Sequence, residues 1–180
     1  GQPYQSGGGM FLWNSSPTLT GVTFIGNSAF AGGGMSLRNC SSTLTDVTFS
    51  GNTADSSGGG MNMVYNNSTL TDVRFSDNSA GSKGGAINLW SSSSISGSYV
   101  LINNNYSEGH GAGIFIGATS NINFNNSTIA SNIVGEGDTF GAGIYADGGT
   151  ATLITINPSF SIKNYLGESS DLYWHYGLGL

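Results

Sequence analysis

The stretch Thr18-Leu19-Thr20-Gly21-Val22-Thr23-Phe24-Ile25-Gly26-Asn27 returns as Thr43-Leu44-Thr45-Asp46-Val47-Thr48-Phe49-Ser50-Gly51-Asn52, and again from Thr69 to Asn78. A second block, Gly7-Gly8-Gly9-Met10, comes back at Gly32 to Met35, Gly58 to Met61 and Gly84 to Ile87, then more loosely at Gly111 to Ile114 and Gly141 to Ile144. The blocks are spaced by 25, 26, 26, 27 and 30 residues. Degenerate copies of Phe-x-x-Asn are expected to end at Asn103, Asn132 and Asn164, which makes about six coils. A period of this length marks a stacked-repeat architecture.

Within each repeat the apolar residues alternate, as in Met35-Ser36-Leu37, Met61-Asn62-Met63 and Ile87-Asn88-Leu89, and period two means short strands. A second alternation, Val22-Thr23-Phe24 and its copies, follows a leucine by three residues, which implies a corner between them. Two or three strands in a unit of roughly 25 residues cannot bury their inward face alone, but stacked copies form one column. The expected fold is all-β, a single parallel β-helix over residues 1–180. Like then stacks on like about 4.8 Å apart. One column holds Leu19, Leu44, Leu70 and Ile95, a second Met10, Met35, Met61, Ile87, Ile114 and Ile144, and a third Phe24, Phe49 and Phe75. The Asn of each Phe-x-x-Asn is expected at a left-handed turn, with its amide bonded to the copies above and below. The glycines let the next corner turn tightly.

Composition narrows the function. Gly, Ser, Asn and Thr make up about half of the 180 residues, charged residues only 8%, and the net charge is −6. Four cations, Arg38, Arg74, Lys83 and Lys163, are too few to meet a polyanion, so nucleic acid is not expected as a partner. A hydrophobic content of 37% argues against a disordered chain. Lone Cys40 excludes an internal disulfide framework, and His110 and His175 do not form a zinc ligand set, so neither metal nor cofactor is expected. No apolar run is long enough to span a membrane as a helix, and the first residues do not read as a signal peptide.

The pairing of Gly-Gly-Gly-Met or Gly-Gly-Ala-Ile with Phe-x-x-Asn resembles the repeat of the chlamydial polymorphic outer-membrane proteins and of related bacterial surface proteins. The resemblance is clear over residues 7 to 90 and weaker to about 164, leaving 165–180 as an aromatic cap or last coil. It implies a right-handed helix and an exported, cell-surface or secreted protein of adhesive type.

Enzymes on parallel β-helices need clustered carboxylates. The best candidates here are Glu108 with His110 and Glu136 with Asp138, on loops that lengthen along the chain; the plainer reading is that these loops carry solvated charge. Asp46 and Asp72 occupy matching positions, either around a cation or simply exposed. Thr18 and Thr20, Thr43 and Thr45, and Thr69 and Thr71, continued by Ser94 and Ser96, make two outward ranks that resemble the faces of ice-binding solenoids, although Thr also favours strands for its own sake. On the other face Arg38, Val64 and Trp90 share a column. Exposed Phe11, Trp13, Trp90, Phe115 and Tyr145 offer stacking platforms to a glycan or a host or cell-surface protein, or else serve packing. Tyr173-Trp174-His175-Tyr176 is expected to cap the last coil. Seven Asn-x-Ser/Thr sequons occur, at Asn14, Asn39, Asn66, Asn67, Asn105, Asn125 and Asn126.

Residue 1 falls in mid-coil with no visible cap, which suggests a piece of a longer protein or coil ends that meet other copies. The expected function is a non-enzymatic extracellular or cell-surface module for adhesion or matrix formation. A self-assembling filament or sheath subunit, an ice-binding protein and a polysaccharide-cleaving enzyme are the alternatives.

Overall fold

The computed structural model describes residues 5–136, 139–154, 161–165 and 172–175, and the side chains of 5–136 and 139–150. Among the described residues every strand pairing is parallel, each strand lying on its copy one repeat later, in register except for shifts between Ala29 and Ala31 and between Ala130 and Ile133. A seven-stranded sheet stacks Met10–Trp13, Met35–Arg38, Met61–Val64, Ile87–Trp90, Ile114–Ile116, Ile144–Asp147 and Leu172–His175. A fourteen-stranded sheet wraps the rest of each coil. Its segments in the first coil are Thr18–Thr20, Thr23–Ile25 and Ser28–Ala31, so a coil has four strand segments, more than the two or three expected. About five turns are completed, slightly fewer than six.

Four corners close each coil, each held by a residue in the left-handed region, and one of them is the column of Asn14, Asn39, Tyr65 and Ser91 after the seven-stranded sheet; the other three follow it along the coil. Asp46 (φ 53°), Asp72 (51°), Tyr99 (57°) and Asn126 (45°) form one corner column, the three-residue step after the leucine. A second comprises Gly26, Gly51, Asp77, Asn104 and Ser131, and a third comprises Gly32, Gly58, Gly84, Gly111 and Gly141. The left-handed residue at the second corner is thus the one before the ladder asparagine, not the asparagine itself as expected. At the third corner glycine is required twice over: at Gly58 the φ is +70°, and a Cβ would stand 2.8 Å from the Met61 carbonyl carbon.

The inward columns form one continuous core. Met10, Met35, Met61, Ile87, Ile114 and Ile144 stack as expected. So do Phe24, Phe49 and Phe75, whose rings lie parallel at 4.8 and 4.7 Å, and Ile102 and Ile129 continue them. Parallel contact at this spacing uses the coil pitch itself, so the rings pack without any side chain leaving its column.

Two expectations shift by two residues in the fourth coil. Gly97, not Ile95, lies over Leu70, and Ile95 pairs with Ser68 and Ile122. The reason is steric and visible: the Phe124 ring of the next coil fills the space beneath Gly97, where a Cβ would meet it at 2.9 Å. By the same shift the asparagine ladder runs Asn27, Asn52, Asn78, Asn105 and Asn132, so Asn105 replaces Asn103. Each amide Nδ2 donates at 2.9 Å to the Oδ1 of the next asparagine, and that Oδ1 also accepts the backbone N–H of the earlier one at 3.0 Å. The same Nδ2 groups donate to Phe24, Phe49, Phe75 and Ile102 carbonyls of the preceding coil. The Asn164 backbone falls at a register irregularity, and its side chain lies outside the described set. Leu172–His175 pairs in register with Ile144–Asp147, which makes this segment a further coil strand; Tyr176 lies outside the described residues.

Candidate functional site

The outward side of the seven-stranded sheet carries two columns set by strand alternation. The first reads Phe11, Ser36, Asn62, Asn88, Phe115 and Tyr145; the second reads Trp13, Arg38, Val64 and Trp90. A third column comes from the loop before each glycine block, where Ala31, Ser57, Lys83 and His110 follow one another by backbone bridges. Residues pointing away from the core are ordinarily wet. Here Ser36 is 4%, Asn62 9%, Asn88 5% and Phe115 0% exposed, because the loop column stands beside them as a wall.

Between wall and sheet lies a cleft of about 330 Å³ lined by Ala31, Ser56, Ser57, Asn62, Val64, Ser82, Lys83, Asn88 and Trp90. Its floor is an amide pair, with Asn88 Nδ2 donating to Asn62 Oδ1 at 2.7 Å. Asn88 Oδ1 is buried and has no hydrogen-bond partner. A buried acceptor left unpaired costs about 1–3 kcal/mol, so it is a place where a ligand hydroxyl or amide gains more than it loses. One side of the cleft is the 43% exposed Trp90, whose indole rests against Gly117, where a Cβ would collide with the ring.

Beyond Asn88 the same column turns aromatic. Phe115 stacks on Trp90 at 5.9 Å and on Tyr145 at 5.5 Å, and His110 stacks on Tyr145 at 4.5 Å and on Phe140 at 5.7 Å. The Lys83 ammonium sits 4.4 Å from the Phe115 centroid and 5.3 Å from that of Trp90, an arrangement worth about 0.5–2 kcal/mol. Phe115 and Tyr145 are therefore not the exposed platforms expected of them. His110, Phe140 and Lys83, from the loops before the glycine blocks, cover them. Trp13 (62% exposed), Phe11 (49%) and Trp90 remain open to solvent.

His110 titrates below its ordinary value of 6.5, first because burial disfavours the charged ring and second because Lys83 repels it, partly offset by Asp147. The unfolded chain therefore takes up this proton more readily than the folded one. The stability that neutral His110 contributes is complete above about pH 6.5 and is lost as pH falls below it. Wild-type protein should lose more melting temperature between pH 7.5 and pH 5 than His110→Gln; an identical loss in both would refute this assignment.

The other candidates are not assembled into a site. Glu108 and Glu136 are exposed, Asp138 lies outside the described residues, and His110 Nδ1 accepts the Phe140 N–H at 3.1 Å instead of facing a carboxylate of its own loop. Asp46 and Asp72 are exposed corner residues, and Asp72 lies 3.7 Å from Arg74. Among the described residues no group of three or more His, Cys, Asp or Glu is placed to hold a metal ion, and no helix is long and apolar enough to cross a membrane. Thr18, Thr43 and Thr69 are exposed and aligned, and Thr20, also exposed, aligns with the more enclosed Thr45 and Thr71. The two-residue shift continues the ranks with Ser96 and Ser98, not Ser94 and Ser96, and then with Asn123 and Asn125. Of the sequons, Asn66 and Asn105 are buried, whereas Asn14, Asn39 and Asn67 are exposed.

Asn62, Asn88 and Lys83 were not singled out by the sequence reading. Their signal was present as two asparagines at the centre of in-register apolar triplets, where solvent-facing residues of any polar type are tolerated. No curated protein and no solved structure matches the chain significantly. A family model described as the right-handed β-helix region matches residues 8–170, in agreement with the parallel coils and stacked core, and the chain belongs to that right-handed β-helix family.

Proposed function

We propose that this β-helix is a non-enzymatic extracellular or cell-surface module that binds glycan chains, in adhesion or matrix formation, through the cleft on its seven-stranded sheet. The observation that carries the reading is the cleft itself: an amide floor with a buried, unpaired Asn88 Oδ1, serine hydroxyls on one wall and the Trp90 ring on the other. Hydroxyl-rich ligands with apolar sugar faces need that combination of hydrogen-bonding groups and an aromatic surface. The location is supported by the likeness of the repeats to those of chlamydial polymorphic outer-membrane proteins and by the frequency of right-handed β-helices among extracellular and surface proteins. Some β-helix proteins are enzymes. A binding role is favoured here because no carboxylate lines the cleft among the described residues.

The Thr ranks support ice binding less well, since their regular part spans three coils before Ser96 and Asn123 replace threonine. Calorimetry with oligosaccharides tests the cleft. Trp90→Ala should weaken binding about three- to tenfold, whereas Trp13→Ala, on the same column but outside the cleft, should leave it unchanged. Absence of saccharide binding by the wild type, or equal effects of the two substitutions, would sink the proposal.

A further inference from the structure

We propose that the cleft selects N-acetylated amino sugars, with the acetamido N–H donating to Asn88 Oδ1; this rests on the glycan-binding reading above. Three observations combine. Asn88 lines the cleft and is 5% exposed, yet its Oδ1 has no hydrogen-bond partner. Its neighbours along the column supply none, because Asn62 accepts from Asn88 Nδ2 and Phe115 presents only a ring. Finally, the same cleft combines the apolar side chains of Ala31, Val64 and Trp90 with the half-buried hydroxyls of Ser57 and Ser82.

A buried lone acceptor beside an aromatic ring favours an amide over a hydroxyl. A sugar hydroxyl that donates to Asn88 Oδ1 carries lone pairs of its own next to Phe115, where they find no donor. An acetamido N–H is a donor only, so a single bond satisfies both groups. The acetyl methyl is then buried against the apolar side chains, its carbonyl accepts from the serine hydroxyls, and the apolar face of the sugar ring rests on Trp90. A plain hexose lacks the amide and gains none of these acetamido contacts. A deacetylated amino sugar brings an ammonium into a cleft that already holds Lys83, which repels it.

The experiment is titration calorimetry of the intact chain with three matched β-1,4-linked tetrasaccharides, of glucose, N-acetylglucosamine and glucosamine. The N-acetylated tetramer should bind about tenfold or more tighter than the glucose tetramer, and the glucosamine tetramer should bind no better than glucose. Asn88→Leu, which keeps the volume without the acceptor, should abolish the N-acetyl advantage and leave the glucose tetramer bound as before. Val64→Thr, which places a hydroxyl where the methyl packs, should reduce that advantage about threefold. Circular dichroism of each variant establishes that the fold persists. Equal binding of the glucose and N-acetylglucosamine tetramers, or an advantage that survives in Asn88→Leu, overturns the selectivity and leaves the glycan reading standing. Tightest binding by the glucosamine tetramer overturns the acetamido assignment, and wild-type protein that binds no saccharide, these three included, overturns both readings.

Discussion

Asn78→Ala is expected to lower the unfolding free energy by about 3–6 kcal/mol, and with it the melting temperature by about 10 °C or more. Asn78 sits in the middle of the ladder and is fully buried. Its Oδ1 accepts from both the backbone N–H and the Nδ2 of Asn52, and its Nδ2 donates to the Phe49 carbonyl and to Asn105 Oδ1. Removing the amide leaves the Asn52 backbone N–H, one Asn52 Nδ2 hydrogen and the Phe49 carbonyl without partners in a space that water does not reach. Each such orphan costs about 1–3 kcal/mol. Asn78→Leu, close to asparagine in size, restores the volume but none of the bonds, and should do no better; if it recovered most of the stability, cavity formation would be the cause instead. The end rung supplies the control. Asn27 is half-buried and bonds in one direction only, so Asn27→Ala should cost about 1 kcal/mol. Urea denaturation of the three variants measures the contrast.

Gly59→Ala is the second large effect, about 4 kcal/mol or more, read as a lowered denaturation midpoint or a loss of folded protein. A Cβ at Gly59 falls on the carbonyl oxygens of Gly85 and Ser79 in the next coil and 2.7 Å from the Ser79 carbonyl carbon. Neither obstacle is a side-chain tip that can swing away. Both belong to backbone held by the parallel ladder, where Gly59 donates to Gly84 and Ser79 donates to Asn52. Gly51→Ala separates crowding from conformation. Gly51 has φ +62° with nothing within 4 Å of its Cβ direction, so its cost is the left-handed backbone alone, about 1–2 kcal/mol. Equal losses at the two positions would mean that backbone conformation, not close approach between coils, makes the glycine blocks necessary.

Both substitutions probe features that the sequence displayed openly. The recurrence of Gly-Gly-Gly-Met and Phe-x-x-Asn specified parallel coils, the methionine-isoleucine and phenylalanine columns, and the amide ladder, because stacking identical units leaves each residue only its own copy as a neighbour. In the fourth coil that reasoning slipped. Ile95 and Asn103 look like the missing Leu and Asn when the eye keeps a 25-residue step, whereas the chain there repeats every 27 residues, as Gly84 to Gly111 already implies. Both errors are one shift of two residues. It was settled by Phe124, whose ring needs Gly97 above it, and by Asn105, whose amide must meet Asn78.

The cleft was less legible, for a different reason. Alternation says which residues point outward from a strand but not what stands in front of them. Phe115 and Tyr145 read as exposed because they alternate with core isoleucines, and they are buried because His110, Phe140 and Lys83 arrive from a corner some distance away in sequence. Asn62 and Asn88, at the outward positions of their strands, are enclosed for the same reason. Inward order, coil pitch and corner placement thus follow from the repeat alone, since they depend on contacts between a residue and its own copies. The groove, its unpaired acceptor and the position of its single cation depend on contacts between non-equivalent parts of a coil, and those only the closed tertiary structure decides.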